Sequence, residues 1–268
     1  MSTTTPLRTR RGGDGAVSRV GLPLLAIIVT VAAWQWACSF FDIRPIYLPS
    51  PLSIARSMRL NWESLLFDTW VTVFETLAGF AAGTVAGLLG ALLLAASPTL
   101  ERATMPLVIA LNAIPKVAVA PLLVVWLGYG HAPRITLAAT ICFFPVMIAA
   151  LAGLTSIPAE LGELARSLTA SRWQTFRKVR IPHALPQVFV GLKLGMTLAL
   201  IGTVVAEINR PGDGLGSVIS ISMHNVNMAQ AFAAIVLLMV LGIAVFYLVV
   251  AAERLLLPWA RETSAARI

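Results

Sequence analysis

Long apolar runs separated by short polar connectors dominate the chain. A bilayer-crossing helix needs about 20 mostly apolar residues. Six runs meet that length: 20–41, 69–96, 106–127, 135–154, 187–206 and 228–257. The last exceeds what a bilayer requires and predicts tilt or an extension beyond the membrane. The first is longer than the roughly 7–15 residues of a secretory signal core, so it reads as a retained span. The Thr- and Arg-rich stretch 1–19 reads as a disordered cytoplasmic tail, and 259–268 as a second tail. The expected organisation is a first span with an outer segment over 20–68, then a core of five spans over 69–258.

The outer segment 45–68 is not plain loop. Ile54, Met58, Trp62, Leu65 and Trp70 recur near helical spacing. Two readings stay open: a short amphipathic helix on the outer membrane surface, or an extension of the second span.

Small residues mark where helices approach. Gly79, Gly83 and Gly87 share one helix face in the second span, and Gly191 with Gly195 repeats the spacing in the fifth. Such faces let a neighbouring backbone come close. Pro106, Pro115, Pro121 and Pro145 predict breaks or kinks in the third and fourth spans. In lipid these survive only where protein or a water-filled cavity satisfies the freed backbone groups.

The connector 155–186 is the most informative one. Pro158 suits the start of a first helix. Leu161, Leu164, Ala165 and Leu168 form an apolar stripe. Ser171 and Gln174 make a capping box that starts a second helix. Pro182 is expected to end it, and Pro186 to open the fifth span. An apolar stripe at a surface needs a partner or the membrane to cover it.

Composition sharpens the picture. Hydrophobic residues make up 58 % and charged residues 12 %, with a mean hydropathy of +0.84. A soluble domain carries about 25 % charged residues. An ordinary cytosolic enzyme, a disordered chain and a disulfide scaffold are excluded. The net charge of +8 does not indicate nucleic acid, because the basic residues cluster in connectors. With the N-terminus inside, 13 Lys and Arg fall in inner connectors and tails and 5 in outer ones. That bias predicts both termini on the cytoplasmic side. The fold class expected is an all-α polytopic membrane helix bundle. Cys38 and Cys142 lie inside apolar runs and read as small buried hydrophobes.

Candidate chemistry is sparse. There is no phosphate-binding GxxxxGK[ST] loop and no metal-ligand or nucleophile motif, so no cofactor or metal is expected on this chain. His131, His183 and His224 are scattered. Ionisable residues inside spans are pathway candidates: Glu75, Lys116, Lys193 and Glu207. Lys193 and Glu207 are fourteen residues apart, which is about 21 Å on a helix, so they do not pair. Structural pairing or snorkelling is the competing reading for all four, and the two lysines would suit an anionic solute.

The connector resembles the EAA loop of ATP-binding-cassette importer permeases. Glu163, Leu164 and Ala165 stand at Glu-Ala-Ala, and Val179, Ile181 and Pro182 at the I-x-L-P end. LPSP at 48–51, AIPKVAVAPLLVVWLGYG at 113–130, FFP at 143–145 and GLG at 214–216 resemble the nitrate, sulfonate, taurine and bicarbonate importer permeases. The likeness covers roughly residues 20–258 and implies a type I importer permease of the inner membrane. It also implies that Glu163, Leu164, Ala165, Leu168, Thr169, Ala170, Ser171, Val179, Ile181 and Pro182 couple the chain to a cytoplasmic ATPase dimer that binds the ATP. A second permease subunit, a homodimer in the simplest case, and an extracytoplasmic binding protein are the other implied partners. Thr169 departs from the pattern, which has glycine there. A β-branched residue in a left-handed turn is strained. A secondary carrier is the rival reading; it should show two related halves with paired broken helices, and neither is evident.

Overall fold

The computed structural model describes residues 16–156, 158–209 and 212–258, and among them the chain is all-helical. The helices are α1 (Ala16–Phe40), α2 (Pro51–Leu60), α3 (Trp62–Ala95), α4 (Pro98–Ala113), α5 (Lys116–Leu127), α6 (His131–Thr155), α7 (Ala159–Ser167), α8 (Arg172–Thr175), α9 (Ile181–Asn209), α10 (Leu215–His224) and α11 (Met228–Leu256). Five stretches are long and apolar enough to cross a membrane, and the bent pair α4–α5 makes a sixth if it counts as one span.

The small-residue faces build the centre. A Cβ on Gly79 would stand 2.5 Å from the Ala138 Cβ, and one on Gly83 would stand 2.5 Å from the Ala139 carbonyl oxygen. A Cβ on Gly87 would meet the Phe143 carbonyl at 2.9 Å. The order runs forward along both helices, so α3 and α6 are parallel. On an adjoining face of α6, Gly191 approaches Ala149, and Gly202 approaches Ala138, the alanine that Gly79 also meets. That order is reversed, so α6 and α9 are antiparallel. α6 is therefore wedged between two glycine-bearing faces.

This arrangement fixes the path of the chain. Parallel α3 and α6 require one crossing between them, and α4–α5 supplies it. The third span was expected as one helix over 106–127. It starts at Pro98 and bends by 88° at a break after Ala113. The cause is Pro115, which disfavours helical geometry at the residue before it; Ile114 is extended, with φ −62° and ψ 128°. Pro106, Pro121 and Pro145 instead lie inside continuous helices. The crossings bring the start of α1, the end of α11 and the α6–α9 connector to one end of the bundle. We call that the loop end, and the opposite end the far end.

Both readings of segment 45–68 are realised in part. Residues 62–68 extend the second span as the first turns of α3. α2 is a separate helix, with Ser50 capping it and Pro51 opening it. It does not lie alone on a membrane surface. Ile54 and Met58 pack with Leu65, Leu215, Ile219 and Ala233, because α10 and α11 offer that face an apolar partner.

The loop is continuous where two prolines predicted interruptions. α8 runs through a wide π-type turn, Phe176–Arg180, directly into α9, which contains both Pro182 and Pro186. The ring of Pro182 would press on the carbonyl four residues back in a regular helix; the wide turn just ahead of it opens that space. α10 was not anticipated, since ten residues are too few for a span.

Candidate coupling surface and far-end polar cluster

At the loop end, α7 follows Pro158, whose carbonyl accepts from the Leu161 and Gly162 amides. Ser171 and Gln174 close the expected capping box. The Gln174 amide donates to the Ser171 hydroxyl at 3.2 Å, and the Ser171 amide to Gln174 Oε1 at 2.9 Å. Between the helices Thr169 takes φ 52°, so a β-branched residue sits in the left-handed region that glycine favours.

Glu163, Leu164, Leu168, Thr169 and Ser171 are all exposed. Leu164 is 55 % and Leu168 70 % exposed, so the apolar stripe is uncovered. Ala165 lies on α7 and Ala170 in the turn. Trp173, at 66 % exposure and stacked on Phe176, extends the apolar surface; its position off the stripe spacing hid it from sequence reasoning. Val179, Ile181 and Pro182 do not join this surface. They sit half-buried in the wide turn and at the start of α9, where they root the loop in the bundle.

The pathway candidates separate into different environments. Lys193 pairs with Glu253 of α11 at 2.6 Å. Lys116 donates to the Asn112 carbonyl at 2.8 Å and to its side-chain oxygen at 3.0 Å, and lies 4.9 Å from the centre of the Phe144 ring. It thus bridges the α4–α5 break. Glu75 and Glu207 come together at the far end, in a polar cluster that also contains residues the sequence reading passed over.

In that cluster Glu207 Oε2 accepts from the Gly216 amide at 2.7 Å, and its Oε1 accepts from the Thr72 hydroxyl at 2.8 Å. The Leu215 amide donates to Thr72 at 2.9 Å, and the Gly214 amide to Asp68 at 2.8 Å. Two carboxylates and a hydroxyl so hold the amides that open α10, where the helix dipole favours negative charge. An added Cβ on Gly214, at φ 103°, would collide with the Glu207 carboxylate. Glu75, fully buried, accepts from Arg134 at 3.1 Å and contacts His131 Nδ1 at 2.7 Å. Arg134 also donates to the Asp213 carbonyl at 2.9 Å. The cluster joins α3, α6, α9 and α10 through buried charged groups, each held by at least one partner, with Glu75 Oε2 left without one among the described residues.

Residues 83–256 match the family of binding-protein-dependent transport system inner membrane components. The riboflavin transport system permease protein RibX of Chloroflexus aurantiacus is 35 % identical over 242 residues, 90 % of each chain. A probable ABC transporter permease protein of Haemophilus influenzae is 32 % identical over 225 residues, 84 % of this chain and 92 % of that one. The putative aliphatic sulfonates transport permease SsuC of Bacillus subtilis is 31 % identical, covering 89 % of this chain and 87 % of that one. Among solved structures, a chain of the inward-facing MetNI methionine ABC transporter shares the fold with a TM-score of 0.63 at 22 % identity, over 72 % of this chain and 96 % of that one. On the matched family and these relatives, the chain belongs to the binding-protein-dependent transport system inner membrane components, the permeases of ABC importers.

Proposed function

We propose that this permease forms the membrane pathway for a small solute and receives its driving force at the α7 surface from a separate ATPase. The uncovered stripe of Leu164 and Leu168 beside Trp173, held on a capped helix–turn–helix, is the observation that carries the reading. With the exposed carboxylates of Glu160 and Glu163 on the same helix, this apolar surface suits a protein partner better than the membrane. The positive bias of the connectors puts the loop end in the cytoplasm, where ATP is. ATP binding in the partner then biases the bundle between inward- and outward-facing states, and that bias has to reach several kcal/mol to switch the population.

Six spans are few for enclosing a pathway, so a homodimer is the simplest assembly, with a binding protein delivering solute at the far end. The relatives divide on the solute. Two are named for aliphatic sulfonates and taurine, others for riboflavin and formylaminopyrimidine. A sulfonate-, nitrate- or taurine-like solute is therefore one class among several; Lys193 does not favour it, since Glu253 neutralises its charge, whereas Lys116 meets only the neutral oxygens of Asn112.

The test is co-purification from membranes followed by transport. Leu164→Asp should release the ATPase, and Glu163→Lys should abolish transport while the chain stays in the membrane. Wild-type transport in both variants would refute the assignment and favour a carrier independent of ATP.

A further inference from the structure

The bend between α4 and α5 puts a charge where a membrane least tolerates one. α5 packs along the far-end half of α6, with Ala120 and Leu123 beside Leu137 and Ile141. Its first residue, Lys116, holds its ammonium 4.9 Å from the centre of the Phe144 ring. Phe144 stands 13 residues from the start of α6 and 11 from its end, about 20 and 17 Å at 1.5 Å per residue. The whole of α6 is about 37 Å long, only about 7 Å more than the hydrocarbon core of a bilayer. Lys116 is therefore deep in the membrane however α6 is centred, and its ammonium does not snorkel to an interface.

Three observations bring water to it. An ammonium has three donors. Two go to the carbonyl and the side-chain oxygen of Asn112, and the third has no hydrogen-bond acceptor among the described residues. Second, no carboxylate is free to neutralise the charge. Asp68, Glu75 and Glu207 are held at the far end, and Glu253 by Lys193. The remaining Asp and Glu lie in connectors, tails or the first turns of α3 and α4, so a second copy of the chain brings no free carboxylate either. Third, Asn112, Ala113, Ile114 and Pro115 are all exposed, and the end of α4 there leaves carbonyls without helical partners. Non-helical backbone at this depth persists only where protein buries it or water meets it. The unneutralised charge beside it selects water.

We infer that the α4–α5 break lines the water-filled pathway at mid-membrane depth and that Lys116 gives this stretch a standing positive charge. The inference rests on the permease reading above and deepens it, by placing the pathway on one element and its charge on one residue. A fixed ammonium with a free donor accommodates acceptor groups and holds back cations, as fixed charges do in pores. It sets a charge barrier and does not recognise one particular solute.

The test reads water and charge together, by thiol labelling of the permease extracted with its partners and placed in lipid nanodiscs, which are open to reagent on both faces. Ile114→Cys puts a thiol at the break. Ile28→Cys, at a position 62 % exposed in the middle of α1, is the lipid-facing control. The unsubstituted chain, whose Cys38 and Cys142 are buried, gives the background. Each is treated with an anionic and with a cationic methanethiosulfonate, with and without ATP. Ile114→Cys should react, and Ile28→Cys should stay at background. Adding Lys116→Gln should lower the ratio of anionic to cationic rates at Ile114→Cys about sevenfold, and adding Lys116→Arg should preserve it. Unit charges about 7 Å apart, the reach of two extended residues, change each rate about threefold in opposite senses in water at about 0.01 M salt. The ratio cancels any effect on the thiol itself. An Ile114→Cys as inert as Ile28→Cys in every condition would overturn the inference, as would a ratio that Lys116→Gln leaves unchanged. Retention of the ATPase is scored on the same nanodiscs. Its absence refutes the coupling reading and leaves the labelling result standing, and a dry break with the ATPase retained refutes this inference alone.

Discussion

The glycine-mediated contact between α6 and α9 makes a quantitative prediction. On Gly191→Ala, the new methyl stands 2.6 Å from the Ala149 Cβ, whereas ordinary contact begins at 3.4 Å. The helices α6 and α9 must part by 0.8 Å, the difference of those two distances. A gap of that order forfeits about a quarter to a half of the dispersion attraction between the parted atoms, and overpacking of this kind costs about 1–3 kcal/mol. The obstruction is mainly a side chain, since the nearest backbone atom, the Pro145 carbonyl oxygen, is at 3.2 Å. Ala149→Gly should therefore rescue it, despite costing about 1 kcal/mol by itself as a glycine inside a helix. Gly83→Ala is the contrast. Its methyl meets the Ala139 carbonyl oxygen at 2.5 Å as well as the Cys142 sulfur. No side-chain truncation moves a carbonyl, so Cys142→Ala should not rescue it. Reversible unfolding in mixed micelles, followed by circular dichroism, measures the four single variants and the two double variants. Independent sites add to within about 0.3–0.5 kcal/mol. Additivity of Gly191→Ala with Ala149→Gly, or rescue of Gly83→Ala by Cys142→Ala, would refute the reasoning.

Two further predictions concern the loop end and the α9–α11 contact. Thr169→Gly should relieve the left-handed turn at φ 52°; the strain of roughly 1–2 kcal/mol is partly offset by the freedom glycine adds to the unfolded chain. Slower hydrogen exchange over residues 168–170 with full transport is expected, and a large loss of transport would assign Thr169 a role of its own. Lys193→Glu should destabilise the bundle by about 1 kcal/mol or more by setting like charges against each other at the Glu253 site. The exchange Lys193→Glu with Glu253→Lys should restore the thermal midpoint, and a midpoint that stays low would show that the pair is not the reason these residues meet.

Local signals were legible in the sequence and long-range ones were not. Gly79, Gly83 and Gly87 declared a packing face through spacing alone, and Ser171 with Gln174 declared a cap through adjacency. Four prolines looked equivalent, yet one breaks its span. Pro106, Pro121 and Pro145 lie within helices, whereas Pro115 follows an extended residue. Which proline wins depends on neighbours that sequence does not supply. The far-end cluster was invisible for a different reason. Its bonds join residues 59, 135 and 146 positions apart, so each carboxylate looked like an isolated intramembrane charge. The GLG stretch at 214–216 was noted as a motif, but only the fold shows that its amides are what Asp68, Thr72 and Glu207 hold.

The two ends of the molecule are joined by one rod. From Trp173 to Asn209 the chain is a single helical stretch of 37 residues, about 55 Å at 1.5 Å per residue. It begins beside the Thr169 turn, and its last turns carry Glu207, which grips the start of α10. On the proposed function, a stiff helix of this length would convert a push on the loop into a tilt at the far end, with the glycine seam as its face against α6. The wide turn Phe176–Arg180 is its least regular point. On the proposed function, inserting two glycines after Arg180 should cut the mechanical link without touching the α7 surface. The ATPase should then remain bound while solute no longer stimulates ATP hydrolysis. The same insertion after Asn225, in the connector between α10 and α11, should leave stimulation intact, because no rod passes through it. Full stimulation after the first insertion would mean that the displacement travels by another route, with α6 and its seam to α3 the next element to cut.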